Sequence, residues 1–211
     1  SWLHVVIGYK PAPGVVKVCY AGRHKEWNEL RDLGIRFNVD CCVIDMEPEL
    51  HKAREFQRGQ AFPVFLCDYQ AHQRGDARWN LDDRSVVINR TEALDRVHTA
   101  ATTSGRFILP RRSQELEQYV LEMCNLVKVL VENKDGSKEY QYKQVGPDHY
   151  RHATAYLLLA LERVSVYQPA FMFGGESRAP AFAQTDYNPF GYDSPRGHGG
   201  QAIIDYNPFG R

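Results

Sequence analysis

Two acidic residues far apart in the chain are the strongest candidates for chemistry. Asp148 stands at the start of a long apolar segment, with His149 and His152 close behind it, and Asp45 ends a short apolar run. Asp148, His152 and Tyr156 are spaced i, i+4 and i+8, so a helix would present them on one face. An aspartate at a helix start also caps free N–H groups, and Asp45 could simply lead into the next helix. The sequence leaves both interpretations open.

The two carboxylates indicate a divalent metal site. Mg²⁺ and Mn²⁺ prefer carboxylate oxygens and water, and two such ions can activate a water and stabilise the leaving oxygen in phosphodiester cleavage. Holding two ions usually takes at least three acidic groups. Asp45 and Asp148 supply two of them, and Asp68 and Glu47 are weaker candidates. The two histidines near Asp148 could contact a phosphate, carry protons, or only hydrogen-bond within the core.

The segments around Asp45 predict a parallel sheet that would position it. Asp40–Asp45 and Ala61–Tyr69 are continuous apolar strands on either side of a helix, Leu50–Arg58. Strand–helix–strand order favours a parallel, right-handed crossover. Ligands of open α/β sheets gather at the carboxyl ends of such strands, where Asp45 lies. The helix that begins near Asp148 is predicted to run to Val166.

Other periodic segments complete an α/β fold. They comprise a first hairpin, short strands, further helices and a later hairpin around an Asp-Gly turn. In chain order they are Trp2–Ile7, Val15–Tyr20, Glu26–Leu33 ended by Gly34, Ser85–Asn89, a helix from Thr91 to Gly105, Phe107–Leu109, a helix from Ser113 to Asn125, Val127–Glu132 and Lys138–Tyr142.

Composition sets limits on the partners. Of 211 residues, 43% are hydrophobic, which is enough for one sizeable core. Lys+Arg and Asp+Glu balance at 26 each, so any contact with nucleic acid must come from local basic patches. The basic candidates for such a patch are Arg23, Lys25, Arg74, Arg78, Arg111, Arg112, Lys134 and Lys138.

Two broad classes of protein are disfavoured. The five cysteines lie mostly in apolar segments and form no CxxC pair, which favours core thiols over disulfides or a zinc site. No apolar run approaches the roughly 20 residues of a membrane span, so we expect no membrane partner. We also expect an intracellular protein.

The composition changes after Tyr167. Residues 168–211 are rich in Gly, Pro, Ser, Asn and Gln, which predicts a flexible tail following a domain of residues 1–167. The hexamer DYNPFG occurs twice, as Asp186–Gly191 and Asp205–Gly210. Two aromatic copies are typical of a short linear binding motif used twice, although a duplicated linker without function would give the same pattern.

Four stretches together carry a family resemblance: CCVIDMEPELHKAREF (Cys41–Phe56), VINRTEALD (Val87–Asp95), GRFILPR (Gly105–Arg111) and GPDHYRHATAYLLLA (Gly146–Ala160). With these motifs, residues 1–165 resemble the C-terminal nuclease domain of tailed-bacteriophage terminase large subunits. The resemblance implies an RNase H-like mixed β-sheet flanked by helices. It also implies a divalent-metal endonuclease that cuts concatemeric double-stranded DNA during genome packaging.

The resemblance also assigns residues and partners. Asp45 matches the family's second metal-binding acid and Asp148 its third. The first acid would stand just before Trp2, so this domain is expected to lack the first catalytic strand. Without that strand it is expected to bind metal weakly and to cut DNA poorly or not at all. Expected partners are two Mg²⁺ or Mn²⁺ ions, double-stranded DNA, the terminase ATPase domain, the small terminase subunit and the portal protein. The expected location is the host cell cytoplasm.

Two alternatives remain open at this stage. Within enzymes, the chain could be another RNase H-like nuclease, such as a transposase or a junction resolvase. In a different class, it could be a non-catalytic interaction module that docks to the portal or packaging partners through its repeated C-terminal motif.

Overall fold

The computed structural model of the chain describes residues 2–132 and 136–167. Five helices and nine strands lie in this part, arranged as mixed sheets flanked by helices. Lys134 and the predicted tail, residues 168–211 with both DYNPFG copies, lie outside the described residues.

The first sheet is built on a long hairpin. Strands β1 (Leu3–Ala12) and β2 (Val15–His24) pair antiparallel, and the short β7 (Phe107–Ile108) adds to β2 in parallel. The hairpin is longer than predicted, because β1 continues through Pro11. A proline is tolerated there because β1 is the edge strand of its sheet. Gly14, at φ +74°, makes the tight turn that a side chain would strain.

Helix α1 (Trp27–Arg36) corrects one prediction. Gly34, expected to end the helix, lies buried inside it, and Phe37 forms the C-terminal cap. A Cβ on Gly34 would approach the Phe62 ring to 2.5 Å. The glycine is therefore needed for close packing rather than for helix termination.

The second sheet holds the predicted parallel unit. Strands β3 (Cys42–Asp45), β4 (Val64–Tyr69) and β6 (Ser85–Ile88) run parallel, and β5 (Arg78–Asn80) pairs antiparallel with β6 at the edge. Helix α2 (Leu50–Arg58) makes the crossover between β3 and β4. The parallel arrangement confirms the strand–helix–strand prediction.

Two further helices begin at polar caps. Helix α3 (Arg90–Thr102) is capped by Asn89, whose side chain accepts the N–H groups of Thr91 and Glu92. The cap is therefore two residues earlier than the predicted Thr91. Helix α4 (Gln114–Cys124) begins directly after Ser113, close to the predicted start, and the Ser113 hydroxyl caps it by accepting the Leu116 N–H.

The later hairpin packs on α3. Strands β8 (Leu126–Glu132) and β9 (Lys138–Gln144) form a separate two-stranded sheet. Leu94, Leu126 and Tyr142 form a small core between them and the helix. Lys128 and Tyr142 both bind the Asp95 carboxylate at 2.8 Å, which fixes the hairpin against α3.

Helix α5 (His149–Tyr167) organises the whole domain. It packs against β1, β3, α3 and α4, so both larger sheets contact the same helix. Its buried side chains include Tyr150, Ala155 and Leu159, which join the main core. This α/β architecture agrees with the expected RNase H-like class. Within the described residues, no helix combines the length and apolarity needed to cross a membrane.

The buried position of α5 predicts which shortened side chains lower stability. Leu159 is 2% exposed in the main core, so Leu159→Ala should lower the free energy of unfolding by about 2–5 kcal/mol through lost burial and a cavity. Leu121 on α4 is 59% exposed, and Leu121→Ala should change the free energy of unfolding by no more than about 0.5 kcal/mol. Urea unfolding of both variants measures the contrast, and equal losses would contradict the assigned core.

Candidate functional site

The carboxyl ends of three parallel strands place polar side chains at one sheet edge. Asp45 ends β3, Tyr69 ends β4, and Arg90 follows β6. The parallel register brings the ends together, because Asp45 lies opposite Cys67 and Tyr69 opposite Ile88. This is the edge at which α/β sheets bind ligands.

Asp45 is exposed and is held through both carboxylate oxygens. Its Oδ2 accepts the Tyr156 hydroxyl at 2.8 Å, and its Oδ1 accepts the backbone N–H of Glu47 at 3.1 Å. The second contact agrees with a local role at the chain turn. The first joins Asp45 to helix α5, 111 residues further along the chain.

Asp148 is only 6% exposed. Helix capping was one of its two open interpretations, and its side chain accepts no N–H from the first turn of α5 among the described contacts. Its Oδ1 accepts the Gln144 amide at 3.0 Å. The carboxylate that binds the first turn of α5 belongs instead to Glu122 of α4, which accepts the Tyr150 N–H at 3.1 Å. Capping therefore does not explain the aspartate at this position.

The second oxygen of Asp148 has only looser contacts. Its Oδ2 lies 3.4 Å from His152 Nε2 and 3.7 Å from Arg90 Nη2. A close charge-assisted hydrogen bond would measure about 2.7–2.9 Å. This oxygen therefore retains capacity for a further, shorter interaction with a cation.

His152 connects several of these groups. Its Nδ1 lies 3.2 Å from the Tyr69 hydroxyl, and its Nε2 lies 3.2 Å from Arg90 Nη2. A ring with Nε2 unprotonated would accept from the Arg90 guanidinium, and a ring with Nε2 protonated would donate to Asp148 Oδ2, 3.4 Å away. Burial, followed by the Arg90 charge, lowers the pKa of His152, while Asp148 and Asp45 oppose that shift.

Two tyrosines complete the connection between the acids. The rings of Tyr69 and Tyr156 stack with centroids 5.8 Å apart. Burial first, and then nearby ionisable groups including Asp45, raises the pKa of both phenols. Both hydroxyls therefore stay protonated near neutral pH. A continuous series of contacts runs from Asp45 through Tyr156, Tyr69 and His152 to Asp148, so both acids belong to one contiguous cluster of side chains. Asp148, His152 and Tyr156 share this face of α5, as their spacing predicts.

His149 points to a different neighbourhood. Its ring stacks on His4 of β1 with centroids 4.6 Å apart, and His4 Nε2 lies 3.9 Å from Glu122. The start of β1 therefore lies beside the first turn of α5. Of the weaker acids, Asp68 accepts the Gln70 amide at 2.7 Å.

The site has donors suited to a hard divalent cation but an incomplete set of them. Asp45 and Asp148 offer carboxylate oxygens, the ligands that Mg²⁺ and Mn²⁺ prefer. Among residues 2–132 and 136–167, no three His, Cys, Asp or Glu side chains come together as a ready metal site. The described residues thus supply two of the three acids expected for a two-ion centre.

The predicted DNA-binding cations are spread over several elements. Arg23 and Lys25 lie over the exposed Trp2 ring at 5.8 and 4.9 Å, near the start of β1. Arg74 follows β4 and approaches Glu139 to 3.9 Å, and Arg78 pairs with Val87 near the carboxyl end of β6.

The other predicted cations lie elsewhere. Arg111 and Arg112 precede α4, where Arg112 binds Glu117 at 2.7 Å. Lys138 pairs with Glu132 at 3.6 Å across the second hairpin. These residues share no contact with the carboxylate site.

Three contacts of the site were not predicted: Arg90, Tyr69 and Gln144. Arg90 and Tyr69 occupy the ends of β6 and β4, so the rule that singled out Asp45 would have found them too. Gln144 ends β9, and its approach to Asp148 depends on how the second hairpin joins α5. No local pattern signals that approach.

The His4 environment predicts a pH dependence of stability. Burial is the largest cause that lowers the pKa of His4, and Glu122 partly opposes it. The unfolded chain then takes up a proton before the folded chain does, so stability is lost as pH falls through the ordinary histidine value of about 6.5. His4→Gln should reduce the loss of unfolding free energy between about pH 7.5 and about pH 5.5. Urea unfolding at both values tests this, and an unchanged pH dependence would contradict it.

Comparisons of this chain with family models, with curated proteins and with solved structures found no match. The terminase resemblance therefore rests on the four sequence motifs, and the site must be judged by its own geometry.

Proposed function

We propose that this chain is a divalent-metal-dependent DNA endonuclease domain of the packaging-terminase type. The observation that carries the proposal is the convergence of Asp45 and Asp148 on one sheet edge, joined through Tyr156, Tyr69 and His152. Three of the four terminase motifs lie on the same elements, since they include β3, the start of α3 and the start of α5.

Each side chain would have a distinct role in hydrolysis. Asp45 and Asp148 would hold the cation, which when bound supplies an activated water and stabilises the leaving oxygen. Tyr156 fixes the orientation of Asp45, and Gln144 fixes that of Asp148. His152, kept neutral near pH 7, can accept a proton or position water.

Cations on several elements could contribute to binding a polyanionic substrate. Arg90 lies at the site itself, Arg74 and Arg78 belong to neighbouring segments, and Arg23 and Lys25 flank Trp2. Cations of this kind contact phosphates and carry no sequence information. We therefore propose binding to double-stranded DNA without strong sequence preference, with Mg²⁺ or Mn²⁺ as cofactor.

The packaging context is part of the same proposal. A terminase nuclease would work beside the terminase ATPase domain, the small terminase subunit and the portal protein, in the cytoplasm of the host cell. The four motifs support this context, whereas the site chemistry supports only the wider class of RNase H-like nucleases.

Substitution of the two acids tests the nuclease directly. In the full-length protein, Asp45→Asn and Asp148→Asn should each reduce Mn²⁺-dependent cleavage of supercoiled plasmid about 100-fold or more, because each removes a charged ligand worth several kcal/mol to the transition state. Both changes keep the side-chain volume, and circular dichroism should show that each variant retains the fold.

Asp82→Asn provides the matched control. Asp82 lies in the turn between β5 and β6, at the amino end of β6 and away from the site. The Asp82→Asn variant should retain the activity of the unsubstituted chain. Cleavage at that same rate by both Asp45→Asn and Asp148→Asn would reject the metal assignment.

A second function is favoured by the exact repetition of DYNPFG. A non-catalytic module that docks through these copies should lose partner binding when residues 168–211 are deleted, and should show no Mn²⁺-dependent cleavage. A nuclease should keep its plasmid cleavage after the same deletion. The deletion variant, assayed for cleavage and for portal binding, separates the two functions.

A further inference from the structure

Arg90 occupies a position from which it can reach more than one partner. It is the first residue of α3, directly after β6, and Asn89 provides the helix cap in its place. Its Nη1 donates to the Tyr142 carbonyl at 3.3 Å, and its Nη2 lies between His152 and Asp148. The Arg90 side chain is 40% exposed, whereas that of Asp148 is buried.

The contact of Arg90 with Asp148 is looser than two other arginine ion pairs of this domain. The separation is 3.7 Å, whereas Arg96 meets Glu162 at 2.8 Å and Arg54 meets Asp83 at 2.9 Å. Arg90 divides its donors among three weak partners instead of forming a bidentate pair. Asp148 meanwhile keeps its bond from Gln144, so the carboxylate stays in place if Arg90 leaves.

We propose that Arg90 exchanges partners during the reaction cycle. Without metal it is the counter-ion of Asp148, and with metal and DNA it binds a phosphate beside the cleavage site. The inference rests on the proposed nuclease function. It adds a phosphate-binding residue, and a reason why metal and DNA would bind together.

The exchange follows from charge and geometry. A guanidinium close to Asp148 repels a cation approaching the same carboxylate. A DNA phosphate offers Arg90 a planar, bidentate partner that matches its donors better than its present contacts do. Moving Arg90 away from Asp148 removes its repulsion of the cation, and a bound cation releases Arg90 to bind the phosphate. Each ligand should therefore strengthen binding of the other.

Two binding measurements on the 211-residue chain test the exchange. In calorimetry without DNA, Arg90→Gln should bind Mn²⁺ about threefold more tightly, the scale expected for a partly exposed ion pair. Arg90→Lys retains the charge and should bind Mn²⁺ like the unsubstituted chain. Circular dichroism would verify that each variant is folded.

The second measurement is duplex DNA affinity as a function of salt, by fluorescence anisotropy. In saturating Ca²⁺, used so that DNA is not consumed, Arg90→Gln should reduce the salt slope by about one. In EDTA, where Arg90 stays with Asp148, the slope should not change. Arg58→Gln is the matched control. Arg58 ends α2, which leads to the amino end of β4, whereas the site lies at the carboxyl ends of the strands.

The outcomes separate the two proposals. Mn²⁺ affinity unchanged or weakened in Arg90→Gln would overturn the exchange while leaving the nuclease intact. A slope change that is equal in Ca²⁺ and EDTA, or equal to that of Arg58→Gln, would also overturn it. An unsubstituted chain that binds neither Mn²⁺ nor duplex DNA would overturn the proposed function, and this inference with it.

Discussion

The hydrogen bond from Tyr156 to Asp45 is the contact on which the rest of the site depends. It joins the last described helix to the carboxyl end of β3, and the two bonded residues are 111 positions apart in the sequence. Helix α5 can place Tyr156 there because it packs against α3 and α4 as well as against β1 and β3 of the two larger sheets. The same helix then carries His152 and Asp148 to the ends of β4 and β6. A packing constraint on one helix thus determines which charged groups meet.

Electrostatics give this edge its character. Two carboxylates face one guanidinium and a histidine kept neutral near pH 7, so the local charge remains negative. A divalent cation would reverse that balance, and a phosphate would then become an attractive neighbour. The buried carboxylate, Asp148, gains most from such a partner, since water cannot easily replace it. Metal and polyanion are therefore complementary ligands for the same few residues.

Local patterns predicted the parallel unit, both hairpins and the row Asp148, His152 and Tyr156, because periodicity and strand order act over short distances. They misplaced the end of α1, since Gly34 serves a contact with Phe62 that no local pattern encodes. They also suggested capping for Asp148, a role that Glu122 takes from another helix. Gln144 was missed for the same reason, because only tertiary packing brings it to Asp148. Arg90 follows β6, so the strand-end rule that singled out Asp45 reaches it as well.

The central claim is that Asp45 and Asp148 hold a common divalent cation. Crystals of the chain soaked in Mn²⁺ test it most directly through anomalous scattering. The account predicts a peak within coordination distance of both carboxylates, about 2.0–2.3 Å from their oxygens. A manganese peak bound elsewhere, or no peak at this edge under saturating Mn²⁺, would contradict it.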